Sequence, residues 1–249
     1  MSFFNKEKSG NGSPTAQQSG STRVMHAATA TAVANVSRPP ATANSAGQTT
    51  SRVSNGLKEF LSQLSGIGRG HLLDLGPARQ TTLNFFIERG FKVYTDDLLM
   101  TWKIFLEAEE QRKKDLAPDA DRSDITPAAR AERFLESTLQ YPEGTFDGVL
   151  MWDTLDYVDN DLMTRLAAKL TSLVRDGGAV LAVFHARKPE TFHRFRILDA
   201  QNLELIPAPS PFPPQRVLQN REIANLFSRY RTSKTFVGRD QLREGLFVK

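Results

Sequence analysis

Hydrophobic positions are sparse up to residue 54 and then fall into two alternating periods. Leu57, Phe60, Leu61 and Leu64 recur at the helical spacing and predict an amphipathic helix. A short apolar run over 71–75 predicts a strand. A helical pattern over 78–89 follows, with Leu83, Phe86 and Ile87 on one face and Gly90 as its stop. Residues 91–95 form a second strand pattern, ending at Asp96 and Asp97, and 98–114 a second long helix burying Trp102, Phe105 and Leu106. After an acidic, Pro-containing loop over 115–124, Thr126-Pro127 restarts a helix with a capping hydroxyl and proline in the first turn. Phe134–Leu135 reads either as a short strand or as the end of that helix. Strand 148–152, helix 160–174, the turn Asp176-Gly177-Gly178 and strand 179–184 complete the alternation. A proline-rich stretch then leads to a helix capped by Asn220. Two closing strands, 232–237 and 244–248, flank an Arg239-Asp240 turn. Strands alternating with helices specify a doubly wound α/β body with a mostly parallel sheet, and a closing hairpin makes its last strand antiparallel.

Composition separates this body, residues 55–249, from what precedes it. Residues 1–54 are dominated by Ser, Thr, Ala, Gly, Asn and Gln and contain no Leu or Ile, so they cannot bury enough apolar surface to offset their ordering entropy. They are expected to be a disordered, basic, low-complexity tail whose removal leaves the fold intact. Five basic residues against one acidic put the whole net charge of +4 in the first 55 residues, leaving 27 of each sign in the body. The pI near 9.4 therefore describes the tail, and a neutral body is not expected to hold nucleic acid. The absence of cysteine excludes disulfides, thiol nucleophiles and thiolate-bound zinc, and four scattered histidines offer no metal-ligand spacing. No apolar run approaches the ~18 residues that span a bilayer, and Met1–Gly10 has no secretory core. A cytoplasmic protein without membrane partners is the expectation.

In doubly wound sheets, ligands bind beyond the carboxyl ends of the strands, where strand order reverses. The residues to consider are then those around Asp74–Gln80, Asp96–Leu98, Trp152–Tyr157 and His185–Lys188. Paired carboxylates at Asp96 and Asp97 stand at the end of the second strand, where an acidic side chain can accept both hydrogen bonds of a ribose diol. Ser65-Gly66-Ile67-Gly68-Arg69-Gly70 precedes the first strand instead of following it, so it reads as a helix-to-strand turn and not as a phosphate loop. Gly76-Pro77-Ala78-Arg79-Gln80 likewise lacks the glycine spacing that a pyridine-nucleotide oxidoreductase requires.

Three stretches carry a family resemblance. They are Leu72-Leu73-Asp74-Leu75-Gly76-Pro77, the segment from Leu139 through Phe146-Asp147-Gly148-Val149 to Val158, and Leu173-Val174-Arg175-Asp176-Gly177-Gly178-Ala179-Val180-Leu181. Residues 57–249 thereby resemble class I S-adenosylmethionine-dependent methyltransferases. The resemblance implies a Rossmann-like seven-stranded sheet with an antiparallel last strand, S-adenosylmethionine as cofactor, and methyl transfer by in-line attack on the sulfonium methyl. It implies that Asp74, Gly76, Pro77 and Ala78 shape the loop under the methionine moiety. Asp97, with Asp96 as competitor, would take the ribose hydroxyls. Glu136 to Thr138, including Ser137, would lie near the adenine, and Trp152 and Asp153 would flank the transferred methyl. His185 and Tyr157 are the first candidates for an acid–base role. The acceptor, a small molecule or a protein, is not indicated. The chain departs from the family at Ala78 and Gln80, where further glycines are usual, so a catalytically inactive binding module is the alternative. Local explanations also exist: Asp74 bonding loop amides, Trp152 as core, Asp156 as a helix cap.

Overall fold

The computed structural model describes residues 48–115 and 126–249. Most of the expected tail, 1–47, lies outside them, as does the acidic loop from 116 to 125. The elements are β1 (Thr50–Val53), α1 (Asn55–Gln63), β2 (Gly70–Asp74), α2 (Gln80–Ile87), β3 (Phe91–Thr95), α3 (Leu98–Asp115), α4 (Pro127–Thr138), β4 (Phe146–Trp152), α5 (Asn160–Leu173), β5 (Val174–His185), β6 (His193–Ile197), β7 (Asn202–Pro207), α6 (Asn220–Leu226), β8 (Thr232–Val237) and β9 (Leu242–Val248). Six strands form the main sheet in the order β3-β2-β4-β5-β9-β8. Neighbours run parallel from β3 to β5, and β9 is antiparallel to both β5 and β8. The mostly parallel sheet with an antiparallel last strand is as expected. The seventh strand is not: among the described residues this sheet has six.

Alternation along the buried strands sends side chains to two separate apolar layers. Val149 and Met151 of β4 join α3, α4, α5 and α6 on one face. Leu150 and Trp152 join α1 and α2 on the other. That second layer includes an unexpected three-stranded antiparallel sheet, β1-β7-β6, whose Phe195, Ile197, Leu203 and Leu205 point into it. Thr50–Val53, assigned by composition to the tail, is thus a strand. It forms because a partner distant in sequence completes its ladder, pairing Thr50 with Leu205 through Val53 with Asn202. The stretch around Phe134–Leu135 is helix, inside α4, which Thr126 caps by accepting from Ala129 N at 3.2 Å. Asp176–Gly178 interrupts β5 instead of preceding it: the ladder jumps from Val174 opposite Phe146 to Ala179 opposite Gly148. Gly66, with φ +86°, lies in the turn leaving α1, and Gly70 packs under Phe91, so that glycine run is structural.

Sheet order fixes where a ligand would go. From β2 the chain passes through α2 to β3 on one side, then through α3 and α4 to β4 on the other. The reversal opens a crevice at the carboxyl ends of β2, β3 and β4.

Candidate active site

Three strand ends converge on this crevice, and the end of β5 lies beside them. β2 ends in Asp74, whose Oδ1 accepts from Gly76 N at 2.9 Å and from Trp152 Nε1 at 2.7 Å. Burial is the main influence on Asp74; it outweighs those two bonds and pushes the carboxyl up to about 6. The turn is tight because Gly76 has no side chain: a Cβ there would sit 2.8 Å from Trp152 Cδ1 and Nε1 and 3.2 Å from Asp74 Oδ1. Pro77 lines the crevice, while Ala78 is exposed. Gln80 turns away along α2, donating from Nε2 to Asn84 at 2.6 Å, so it does not fill the crevice.

β3 delivers the paired carboxylates. Asp96 N donates to Asp74 O at 2.9 Å, continuing the ladder, and its Oδ1 accepts from Thr101 Oγ1 at 3.1 Å. Asp97 opens α3 and accepts from Arg194 Nη1 of β6 at 2.9 Å. Of the two, Asp97 therefore faces the strand that covers the crevice, and Asp96 secures the helix. Ser137 and Thr138 are elsewhere: α4 carries them, and Ser137 lines a different cavity with Phe105, Glu109 and Gln140 between α3 and α4.

β4 ends at Trp152, which adopts φ +52°, a left-handed conformation rare for a bulky residue. Its indole stacks on Phe195 with ring centroids 5.3 Å apart and planes 2° from parallel. Asp153 and a short helical turn over Thr154–Asp156 follow. Asp156 is not a helix cap, a place that Asp159 takes for α5 by accepting from Leu162 N at 2.9 Å. Its Oδ2 accepts from His185 N at 2.7 Å and lies 2.8 Å from His185 Nδ1. Asp153 Oδ2 lies 4.0 Å from His185 Nε2, and Tyr157 meets the imidazole edge-on. Burial raises Asp153 to about 7 against the attraction of His185. Burial opposes the charge of His185, but its bond to Asp156 and the charges of Asp153 and Asp156 hold it above the ordinary histidine range. Tyr157 is raised as well, by burial first and then by the two carboxylates, so it stays a neutral phenol.

Two openings meet at β6. The crevice itself, lined by Gly76, Pro77, Trp152, Asp153, Arg194 and Phe195, holds only about 10 Å³. A cavity of about 210 Å³ lies on the other side of β6, with His185, Arg187, Thr191, Leu205 and Gln241 in its wall. His193 and Phe195 line both, so β6 is the partition. Arg194 and the whole β6–β7 hairpin escaped sequence reasoning. Their signal was the alternation of Phe195 with Ile197 and Leu203 with Leu205 around an Asp199 turn. Among the described residues, no group of three or more His, Asp or Glu side chains could hold a metal ion, and no helix is long and apolar enough to cross a membrane.

Comparison with known proteins adds to this picture. A SAM-dependent methyltransferase from Aquifex aeolicus is 12% identical over 76% of this chain and 88% of its own, with a TM-score of 0.38. A glycopeptide N-methyltransferase, MtfA, complexed with S-adenosyl-L-homocysteine gives 16%, 79%, 86% and 0.40 in the same order. The 1,6-didemethyltoxoflavin-N1-methyltransferase of Burkholderia thailandensis gives 17%, 78%, 79% and 0.37. No curated protein matches the chain. The family described as "Methyltransferase domain" matches residues 49–230, from just before β1 through α6, and so takes in every strand end that meets at the crevice. With most of its length covered by that match, the chain belongs to the methyltransferase-domain family.

Proposed function

We propose that the chain transfers a methyl group from S-adenosylmethionine to an acceptor, a small molecule or a protein, held beside His185. The observation that carries this reading is the pairing of the Asp74–Gly76 turn with Asp97 at the ends of adjacent parallel strands, where the sheet order reverses. The groups suit the donor. A carboxylate at Asp97 matches a ribose diol, and a glycine at 76 lets a ligand approach the backbone closely. The space is at present taken by the chain's own Trp152 and Arg194. Asp74, Gly76, Pro77, Asp97, Trp152 and Asp153 are the residues assigned to the donor; Ala78, Ser137 and Thr138 lack support in the geometry.

Bound S-adenosylmethionine supplies a methyl already activated on a sulfonium, so the chain contributes alignment, exclusion of water and a place for the acceptor's proton. His185 is suited to that last task. Asp156 fixes the proton of Nδ1, which leaves Nε2, on the Asp153 side, to take a proton from an acceptor O–H or N–H. Asp156 is the positioning residue, and Asp153, raised to about 7, supplies negative charge near the imidazolium above that pH. The Pro211–Pro214 segment and Phe192 line, together with Tyr157, a further cavity of about 200 Å³ on the far side.

S-Adenosylhomocysteine tests the donor assignment without knowledge of the acceptor. At ~100-fold over its dissociation constant it should stabilise the full chain by about 2.7 kcal/mol, which raises the melting temperature by roughly 5–10 °C for a chain of this size. No shift at millimolar ligand would favour an inactive binding module.

A further inference from the structure

The crevice is closed from within by two independent contacts. Arg194, on the partition strand β6, places Nη1 2.9 Å from Asp97 Oδ1, and both side chains are largely shielded from water. Trp152 fills the space against Gly76, held by its Nε1 bond to Asp74 and by the Phe195 ring on its other face. Its backbone at φ +52° is the kind of strained conformation that persists only when surrounding contacts over-determine it. Asp153 stands nearby with Oδ2 buried and without a hydrogen-bond partner. While bonded to Asp97, Arg194 also lies over the Phe192 ring, its Cζ 4.9 Å from the centroid, so two contacts hold it in the crevice.

We propose that β6 supplies an internal stand-in for the methyl donor: Arg194 occupies the carboxylate that the ribose diol requires, Trp152 occupies the space above the Gly76 turn, and the donor binds by displacing both. This rests on the reading that the crevice takes an adenosyl group. The apparent affinity is then the intrinsic affinity reduced by the fraction of molecules in which the stand-in is withdrawn. Because β6 also walls the 210 Å³ cavity through His193 and Phe195, donor entry and the shape of the acceptor side are changed by the same strand. The residues responsible are Arg194 and Trp152, and neither contact depends on the glycines the chain lacks at 78 and 80.

Titration calorimetry with S-adenosylhomocysteine on the full chain, Arg194→Ala and Arg194→Lys tests this. Loss of one charged hydrogen-bond partner should tighten binding by about fivefold or more in Arg194→Ala, with Arg194→Lys nearer the parent chain. Adding Asp97→Asn to Arg194→Ala should then weaken binding by about tenfold or more, since the diol loses its carboxylate. The indole is read separately. The chain has two tryptophans, so Trp102→Phe leaves Trp152 as the sole emitter, and ligand should change its fluorescence. Binding to the parent chain with unchanged or weaker affinity in Arg194→Ala would overturn the stand-in and leave the donor assignment intact. So would a neutral Asp97→Asn in the Arg194→Ala background, or calorimetric binding with no change in Trp152 emission. Absence of binding to both the parent chain and Arg194→Ala would overturn the donor assignment itself.

Discussion

The carboxyl of Asp153 is buried between the end of β4 and His185, and burial raises it to about 7; Asp74 is raised to about 6 and Asp156 is raised too, each by burial first. A group whose folded-state pKa exceeds its unfolded value contributes stability that is complete below the unfolded value and is lost as pH rises through the folded one. For these carboxyls the window runs from about 4 to about 7, and the raised His185 extends the loss upward. The melting temperature should therefore be higher at pH 5 than at pH 8. Asp153→Asn should flatten that slope and match or exceed the parent chain at pH 8, as calorimetric melts at the two values would show; an equal slope in both chains contradicts the assignment. Asp74, Asp97, Trp152, Asp153 and His185 were all legible because they follow strands whose apolar runs are plain in the sequence. The role of Asp156 was not. Its position suggested a cap, and the bonds it makes are to a residue 29 positions away that only the fold brings near.

Among elements, β2, β4 and β5 were legible for the same reason: strands largely buried on both faces read as continuous apolar runs bounded by turns. β3, an edge strand with only Phe91 buried, was legible from its alternation of Phe91 and Val93 with Lys92. β1, β6 and β7 were not, since Arg52, Arg194, Arg196 and Glu204 interrupt them, β6 and β7 bury one face each, and β1 buries none of its four residues. The seam between α1 and the sheet shows how little slack the buried strands have. A Cβ at Gly148 in β4 would sit 2.7 Å from Phe60 Cζ, 2.9 Å from Leu72 Cδ1 and 3.0 Å from Leu64 Cδ1. Gly148→Ala should cost about 1–3 kcal/mol through overpacking. Gly68→Ala is the control: a methyl group there would meet nothing within 4 Å, so the change should stay within about ±0.5 kcal/mol in denaturant melts. Equal costs at the two sites would contradict this account of the α1 seam.

At the scale of the whole molecule, a buried ionic clasp joins the two sheets. Glu244 of β9 accepts from Gly56 N at 2.6 Å, and its other oxygen lies 3.1 Å from Arg52 Nη1 of β1. Arg52 also pairs with Asp240 at 2.8 Å, in the turn between β8 and β9. Arg52→Met in the full chain should destabilise by about 3–5 kcal/mol, because it strands a buried carboxylate, and Glu244→Gln added to it should recover part of the loss. A cost below about 1 kcal/mol would mean that β1 is held by its ladder to β7 alone. β9 itself, inserted between β5 and β8, is the last of the described strands to be synthesised. Until it is made, β5 presents an open edge and β8 has no strand to pair with, so two of the six strands of the main sheet wait for it. The nascent chain must keep that apolar edge from foreign strands during the interval, which makes β5 the segment where a holding chaperone would do most good.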